Sequence, residues 1–220
     1  IKNFLTLKDN VIILDEDGNE FYTEHATYDK NNKIVKSIGN SKIISAHGYI
    51  VNTDGLVINK KTDSVFSKND STIEDLEGNI ISLKNFEFLS NKNIFKSIGE
   101  INVKDKMGNS YFFSQIYIDE RKKEIIGTDA KSYLNQKSFK YDERNKPRVF
   151  SNVVNIKEDK TEFYKSNFTL CDYREKDKCP PWQMISTKMK HDKKKKTIYY
   201  DNAVIKLYDI PIFYVPKLAH

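Results

Sequence analysis

The chain has 220 residues, 38% hydrophobic content and a net charge of +6, which is enough apolar material for one large β domain or a domain with an appendage. No run approaches the roughly 18 apolar residues of a membrane-spanning helix. The sequence opens at Ile1 without Met, basic leader or apolar leader, so it reads as processed or excised from something longer. Only Arg121, Arg144, Arg148 and Arg174 are arginine and lysine is scattered along the chain, a pattern that disfavours nucleic-acid recognition.

From the first segment onward the sequence repeats every thirty residues. Gly18, Gly48, Gly78 and Gly108 mark the period, followed three places on by Phe21, Val51, Ile81 and Tyr111. Further on come the pairs Ala26 and Tyr28, Leu56 and Ile58, Phe86 and Phe88, Ile116 and Ile118, each separated by one residue as on a strand face. Two more columns run through Leu5, Val35, Val65, Phe95 and Ile125, and through Ile13, Ile43, Ile73, Val103 and Tyr133. The near-identical Lys36-Ser37-Ile38-Gly39 and Lys96-Ser97-Ile98-Gly99 hold the same register. Repeats of this length build a stacked array, as an antiparallel roll or a parallel β-helix. Gly beside Asn at 18–19, 78–79 and 108–109 reads as a turn tolerant of positive φ, and no helical spacing persists, so the expectation is all-β. Phe4, Leu5 and Val11 to Leu14 begin the array without a cap, leaving an open edge at Leu5, Ile12 and Ile13.

All eight glycines lie between Gly18 and Gly127 and all five prolines between Pro147 and Pro216, which places a boundary in the polar stretch 135–147 and divides the chain into 1–146 and 147–220. Strand-like segments resume at Val149 to Ile156 and Phe163 to Leu170, and Lys193 to Lys196 reads as a solvated hairpin turn. None of the four histidines sits in a nucleophile elbow, a zinc helix or a phosphate loop, and the carboxylates cluster in turns; no enzyme activity, cofactor or metal site is expected. Cys171 and Cys179, with only His191 nearby, are too few for zinc. They read as disulfide partners, of each other or of cysteines outside this sequence, with two free thiols as the alternative.

After these cysteines the order Cys179-Pro180-Pro181-Trp182, Tyr200-Asp201-Asn202-Ala203 and Pro211-Ile212-Phe213-Tyr214-Val215-Pro216 closely resembles the segment of the LptD family of lipopolysaccharide-assembly outer-membrane proteins that joins the periplasmic domain to the barrel. The upstream repeats resemble OstA-like modules. The resemblance implies an OstA-like β-jelly roll, a V-shaped roll of two antiparallel sheets, at the periplasmic side of the outer membrane. It implies that acyl chains of lipopolysaccharide lie against Phe21, Tyr28, Val35, Ile43, Ile58, Ile81, Phe86, Phe88, Ile98, Val103, Phe113, Ile116 and Ile118. Pro181, Trp182, Asn202, Pro211, Tyr214 and Pro216 would form the passage into a barrel, and Cys171 and Cys179 would tie the module to it. An OstA-like bridge protein at the N-terminal edge and a lipoprotein plug inside the barrel would be partners. The alternatives are a soluble periplasmic bridge-type OstA protein, or a repetitive β-solenoid adhesin or scaffold.

Overall fold

The structure, a computed structural model, describes residues 3–135, 147–171, 180–195 and 197–219. The chain forms two compact units, Ile1–Lys106 and Met107–His220. The first holds β1 (Phe4–Leu14), β2 (Glu20–Asp29), β3 (Ile34–Ile44), β4 (Ile50–Asp54), β5 (Val57–Asn59), β6 (Ser64–Ser67), β7 (Ser71–Glu74), β8 (Ile80–Leu83), β9 (Phe86–Leu89) and β10 (Ile94–Lys104), with one 3-10 turn at Ser90–Lys92. The second holds β11 (Ser110–Asp119), β12 (Glu124–Tyr133), β13 (Arg148–Ile156), β14 (Lys160–Thr169), β15 (Trp182–Asp192), β16 (Thr197–Leu207) and β17 (Ile210–Ala219). The boundary expected at residue 146 falls inside the second unit, because β12 and β13 pair along their lengths and the sheet carries on across it.

The fold is all-β. Within each unit the chain meanders, every rung pairing antiparallel with the next, so among the described residues the array is not a parallel β-helix. In the middle of the first unit each rung is split into two short strands: β4 with β5, β7 with β6, and β8 with β9. The long strands break at the same level. Pairing between β1 and β2 slips between Lys8 and Val11, and that between β2 and β3 slips at Thr23 and His25.

These breaks form a crease. Asp9, Asn10, Gly39, Gly55, Gly99, Asp129, Lys165 and Asn202 all have positive φ at the breaks, and a left-handed residue within a strand bulges and bends it. Polar side chains satisfy backbone groups freed there: Asn69 donates to the Asp54 carbonyl, and Asn85 donates to the Ile98 carbonyl. The bend brings the two halves of each strand face to face. One buried cluster joins Val11 and Phe21 from one side of the crease to Ala26, Val35 and Leu56 from the other. In the second unit Val149, Met184, Met189, Tyr200 and Ala203 do the same.

Small hydroxyls close the inside of the bend. Ser37 and Ser41 lie 2.8 Å apart with Thr23 at 3.2 Å from Ser41, Thr53 bridges Ser67 and Ser71 at 2.8 Å each, and Ser166 meets Ser186 at 2.7 Å. Their size lets the half-sheets approach, and their mutual hydrogen bonds cover the cost of burying them. The serine column Ser37, Ser67, Ser97 ends in Gly127, because the Phe113 ring occupies that space. A methyl on Gly127 would sit 2.5 Å from Phe113 Cδ1 and 3.2 Å from Val154 Cγ1.

The turn asparagines do a different job from the one expected. Gly18, Gly78 and Gly108 take the positive φ, whereas the following Asn19, Asn79 and Asn109 do not. Each instead accepts a backbone N–H from a neighbouring turn: Asn19 from Ala46 at 2.9 Å, Asn79 from Lys106 at 3.2 Å, Asn109 from Asn135 at 2.6 Å. The asparagines therefore stitch successive turns together.

Gly127→Ala is expected to cost about 1–3 kcal/mol through overpacking, read as a lower urea midpoint. Adding Phe113→Leu, which reproduces the size of Leu83 at the equivalent place one repeat earlier, should recover part of the loss. No recovery would mean that the ring is not the obstacle.

Candidate functional site

The bend makes each unit a groove with a closed apex and an open mouth. Inward-facing residues next to the crease are buried throughout the first unit: Val11, Thr23, Ser41, Thr53, Ser71, Leu83 and Ile101 on one wall, Ala26, Ser37, Leu56, Ser67, Phe86 and Ser97 on the other. One step nearer the mouth, Ile13, Ile43, Val51, Ile81 and Val103 and, opposite, Tyr28, Ile58, Val65 and Phe88 are only half-buried. Phe21, Val35, Ile73 and Phe95 at that level are fully covered. Apolar lining thus stays accessible along the mouth, where neighbouring walls no longer cover it.

Of the residues expected to line the interior, Phe21, Val35, Phe86, Phe113 and Ile116 are buried core. Tyr28, Ile43, Ile58, Ile81, Phe88, Val103 and Ile118 are half-buried lining. Ile98 is a correction. It is 64% exposed beside the inward Ser97 and next to the crease at Gly99, so its side chain points outward. Identity with its equivalent Ile38, also exposed, reflects the crease and not the groove.

At the first edge, β1 pairs with β2 alone among the described residues; Ile12 faces out, Ile13 packs against the core cluster, and Leu5 is exposed. Among the described residues β17 pairs with β16 alone and is exposed over almost its whole length. Its prolines stand where a ladder donor is not required: Pro216 opposite the crease residue Asn202, Pro211 at the register slip beside Lys206. Asn202 accepts from the Tyr214 hydroxyl at 2.8 Å and donates to Thr187 at 3.2 Å. The structure therefore gathers Asn202, Tyr214 and Pro216. Pro181 lies apart from them, its carbonyl accepting from the Tyr208 N–H at 2.8 Å, and Trp182 packs edge-on to Phe168 against the second core cluster. Cys171 is half-buried and has no disulfide partner among the described residues; Cys179 lies outside them.

The outer wall of the second unit carries a charge network. Glu162 is buried between Lys188 at 2.8 Å and Lys160 at 3.4 Å. The Lys188 hydrogen bond holds the Glu162 carboxyl below the usual range against the opposing effect of burial, and Glu162 in turn raises Lys188. Glu124 is lowered likewise by Asn155 and Lys157. Among the described residues no group of three or more His, Cys, Asp and Glu side chains could hold a metal, and no helix is long and apolar enough to cross a membrane.

No family profile matches the chain, and no curated protein matches it. Among solved structures it is similar to LptH of Pseudomonas aeruginosa, described as the LptA-homologous periplasmic component of the conserved lipopolysaccharide transport device. That likeness has 12% identity and a TM-score of 0.37, covering 53% of this chain and 75% of LptH.

Two features of the site escaped the sequence reading. The crease has a signal at half the repeat: Asp9, Glu24, Gly39, Asp54, Asn69, Lys84, Gly99, Ser114 and Asp129 recur every fifteen residues, all polar or glycine. The hydroxyl lining of the apex was legible as the columns Thr23 and Thr53, Ser37, Ser67 and Ser97, Ser41 and Ser71.

Because the folded carboxyl of Glu162 titrates below its unfolded value, its stabilising effect is complete above about pH 4.3 and disappears as pH falls through the lower folded value. Glu162→Gln should lower stability at pH 7 by about 1–2 kcal/mol. Its melting temperature should fall less than that of the wild type between pH 5 and the acid limit. Parallel acid profiles would show that the lysine pair contributes nothing.

Proposed function

We propose that this chain is the periplasmic lipid-carrying part of an LptD-type lipopolysaccharide-assembly protein, an OstA-like roll that shelters acyl chains and passes them toward an outer-membrane barrel. The observation that carries the reading is the accessible apolar lining at the mouth of each unit: Ile58, at the margin of the core cluster, and Phe88 in the first unit and Ile118 in the second are only half-buried. Each methylene moved out of water is worth about 0.8 kcal/mol, so a chain of roughly a dozen carbons gains on the order of 10 kcal/mol from such shelter. The resemblance of the segment from Cys171 to Pro216 favours the barrel-linked form over a soluble bridge protein. The antiparallel meander disfavours a parallel solenoid adhesin.

On this reading the unpaired edge of β1 receives the OstA-like bridge protein by strand addition, which would continue the groove from chain to chain. A lipoprotein plug would belong with the barrel, and Cys171 and Cys179 with the covalent tie to it.

A photo-crosslinking side chain at Ile58, Phe88 or Ile118 is expected to capture lipopolysaccharide, while the outward positions Ile38 and Ile98 serve as controls. Adducts from the controls alone would sink the groove assignment. Phe88→Asp should block capture, since an ionised carboxylate in an apolar lining is strongly penalised. Proline at Ile12 or Ile13 should weaken the bridge contact in a pull-down if it removes an edge donor, with folding checked by circular dichroism. Undiminished capture by both folded variants would place that partner elsewhere.

A further inference from the structure

The turns that border the groove mouth of the first unit are sorted by charge. Those at 15–19, 45–49 and 75–79 carry Asp15, Glu16, Asp17, Asp75 and Glu77 and no lysine or arginine, and Lys106, from the turn that follows in this row, is ion-paired with Glu77 at 3.5 Å. Those at 29–33, 59–63 and 89–93 carry five lysines against Asp29 and Asp63. The bend brings the two rows toward each other: Lys60, from the second row, lies within electrostatic reach of Asp15, from the first.

The two rows differ in what their charges already do. Asp15 accepts from the N–H groups of Asp17 and Asn19 and from the Asn19 amide, and Asp75 repeats this with Glu77 and Asn79. Asp29, on the basic side, is likewise committed to Asn31 and Asn32. These carboxylates build their own turns. Lys30, Lys33, Lys60 and Lys61, by contrast, form no ion pair among the described residues, and they stand exposed at the rim. Lys33 occupies a left-handed position, φ 55°, where Asp63, Asn93 and Lys123 stand in later repeats, so the turn accepts Asn at this place.

Resting on the lipid-carrier reading, we infer that this basic rim binds the phosphate-bearing head of the amphipath whose chains occupy the groove. Adjacent turns of the row are two strands apart, about 10 Å, so one head group reaches lysines from two turns. Apolar lining below and unpaired ammonium groups above match an acylated phosphate and match neither a neutral lipid nor a free anion. The acidic row opposite sets the sense of insertion by repelling the head from the other rim.

The test is calorimetric titration of the full chain with a short-chain phosphatidic acid, the matching diacylglycerol and inorganic phosphate, each lipid below its micelle concentration. The wild type is expected to bind phosphatidic acid about tenfold or more tightly than diacylglycerol, a preference that shrinks with added salt. The variant K30Q/K33N/K60Q/K61Q, with Asn chosen for the left-handed site, should lose that preference while keeping its affinity for diacylglycerol and its melting temperature. Equal binding of both lipids by the wild type, or an unchanged preference in the variant, overturns the rim assignment and leaves the groove standing. Inorganic phosphate bound as tightly as phosphatidic acid overturns the head-group claim in favour of a free-anion site. Binding of none of the probes removes the lipid-carrier reading together with the inference.

Discussion

The bend in each strand is the constraint on which the other features rest. A flat antiparallel meander of this sequence would expose one apolar face to water, since alternation places the repeat columns on a single side. Folding every rung at the same level turns that face inward on itself. The geometric requirement is severe, because a ten-residue strand must change direction without losing its neighbours on either side. The chain meets it with left-handed residues at a fixed level, with split rungs where Gly55 and Asn69 sit, and with side-chain amides that take up the backbone groups released.

Chemistry inside the groove follows from that geometry. Next to the crease Thr, Ser and finally Gly127 share the apex with larger residues such as Leu56, Leu83, Phe86 and Ile101, and the hydroxyls pair with one another. Farther out the columns become Ile, Val, Phe and Tyr, some of them covered, as Phe21, Val35, Ile73 and Phe95 are, and the others only half-buried. Half-buried apolar side chains such as Ile58 and Phe88 therefore recur along the mouth from one repeat to the next.

Polar links away from the groove add to the stability that the buried clusters inside the bend supply. Turn asparagines tie each turn to the next, and the outer wall of the second unit places Glu162 between two lysines. These polar links help to hold the rungs in register. The edge strands β1 and β17 are the exception, with apolar residues such as Ile12 and Phe213 exposed on rungs that have one neighbour among the described residues.

The amino-acid sequence by itself determined the thirty-residue period, the all-β class and the inward face of most columns, because strand alternation and turn glycines act over a few residues and leave a local pattern. Phe21, Phe86 and Ile116 were legible as interior for that reason. Ile98 was misassigned against its own strand: Phe95, Ser97, Ile101 and Val103 all fall on the inner face, so plain alternation leaves Ile98 on the outer one, and its identity with Ile38 marks an equivalent place in the repeat without marking an inward one. The sequence did not tell a closed core from an open groove. That depends on how far the two halves of a strand diverge, a distance set by small residues that meet only after folding: Ser37 with Ser41 and Thr23, or Gly127 with Phe113. Tertiary structure alone decides which inward isoleucines are covered and which stay half-exposed, because burial is a property of the opposing wall and not of the residue that carries the side chain.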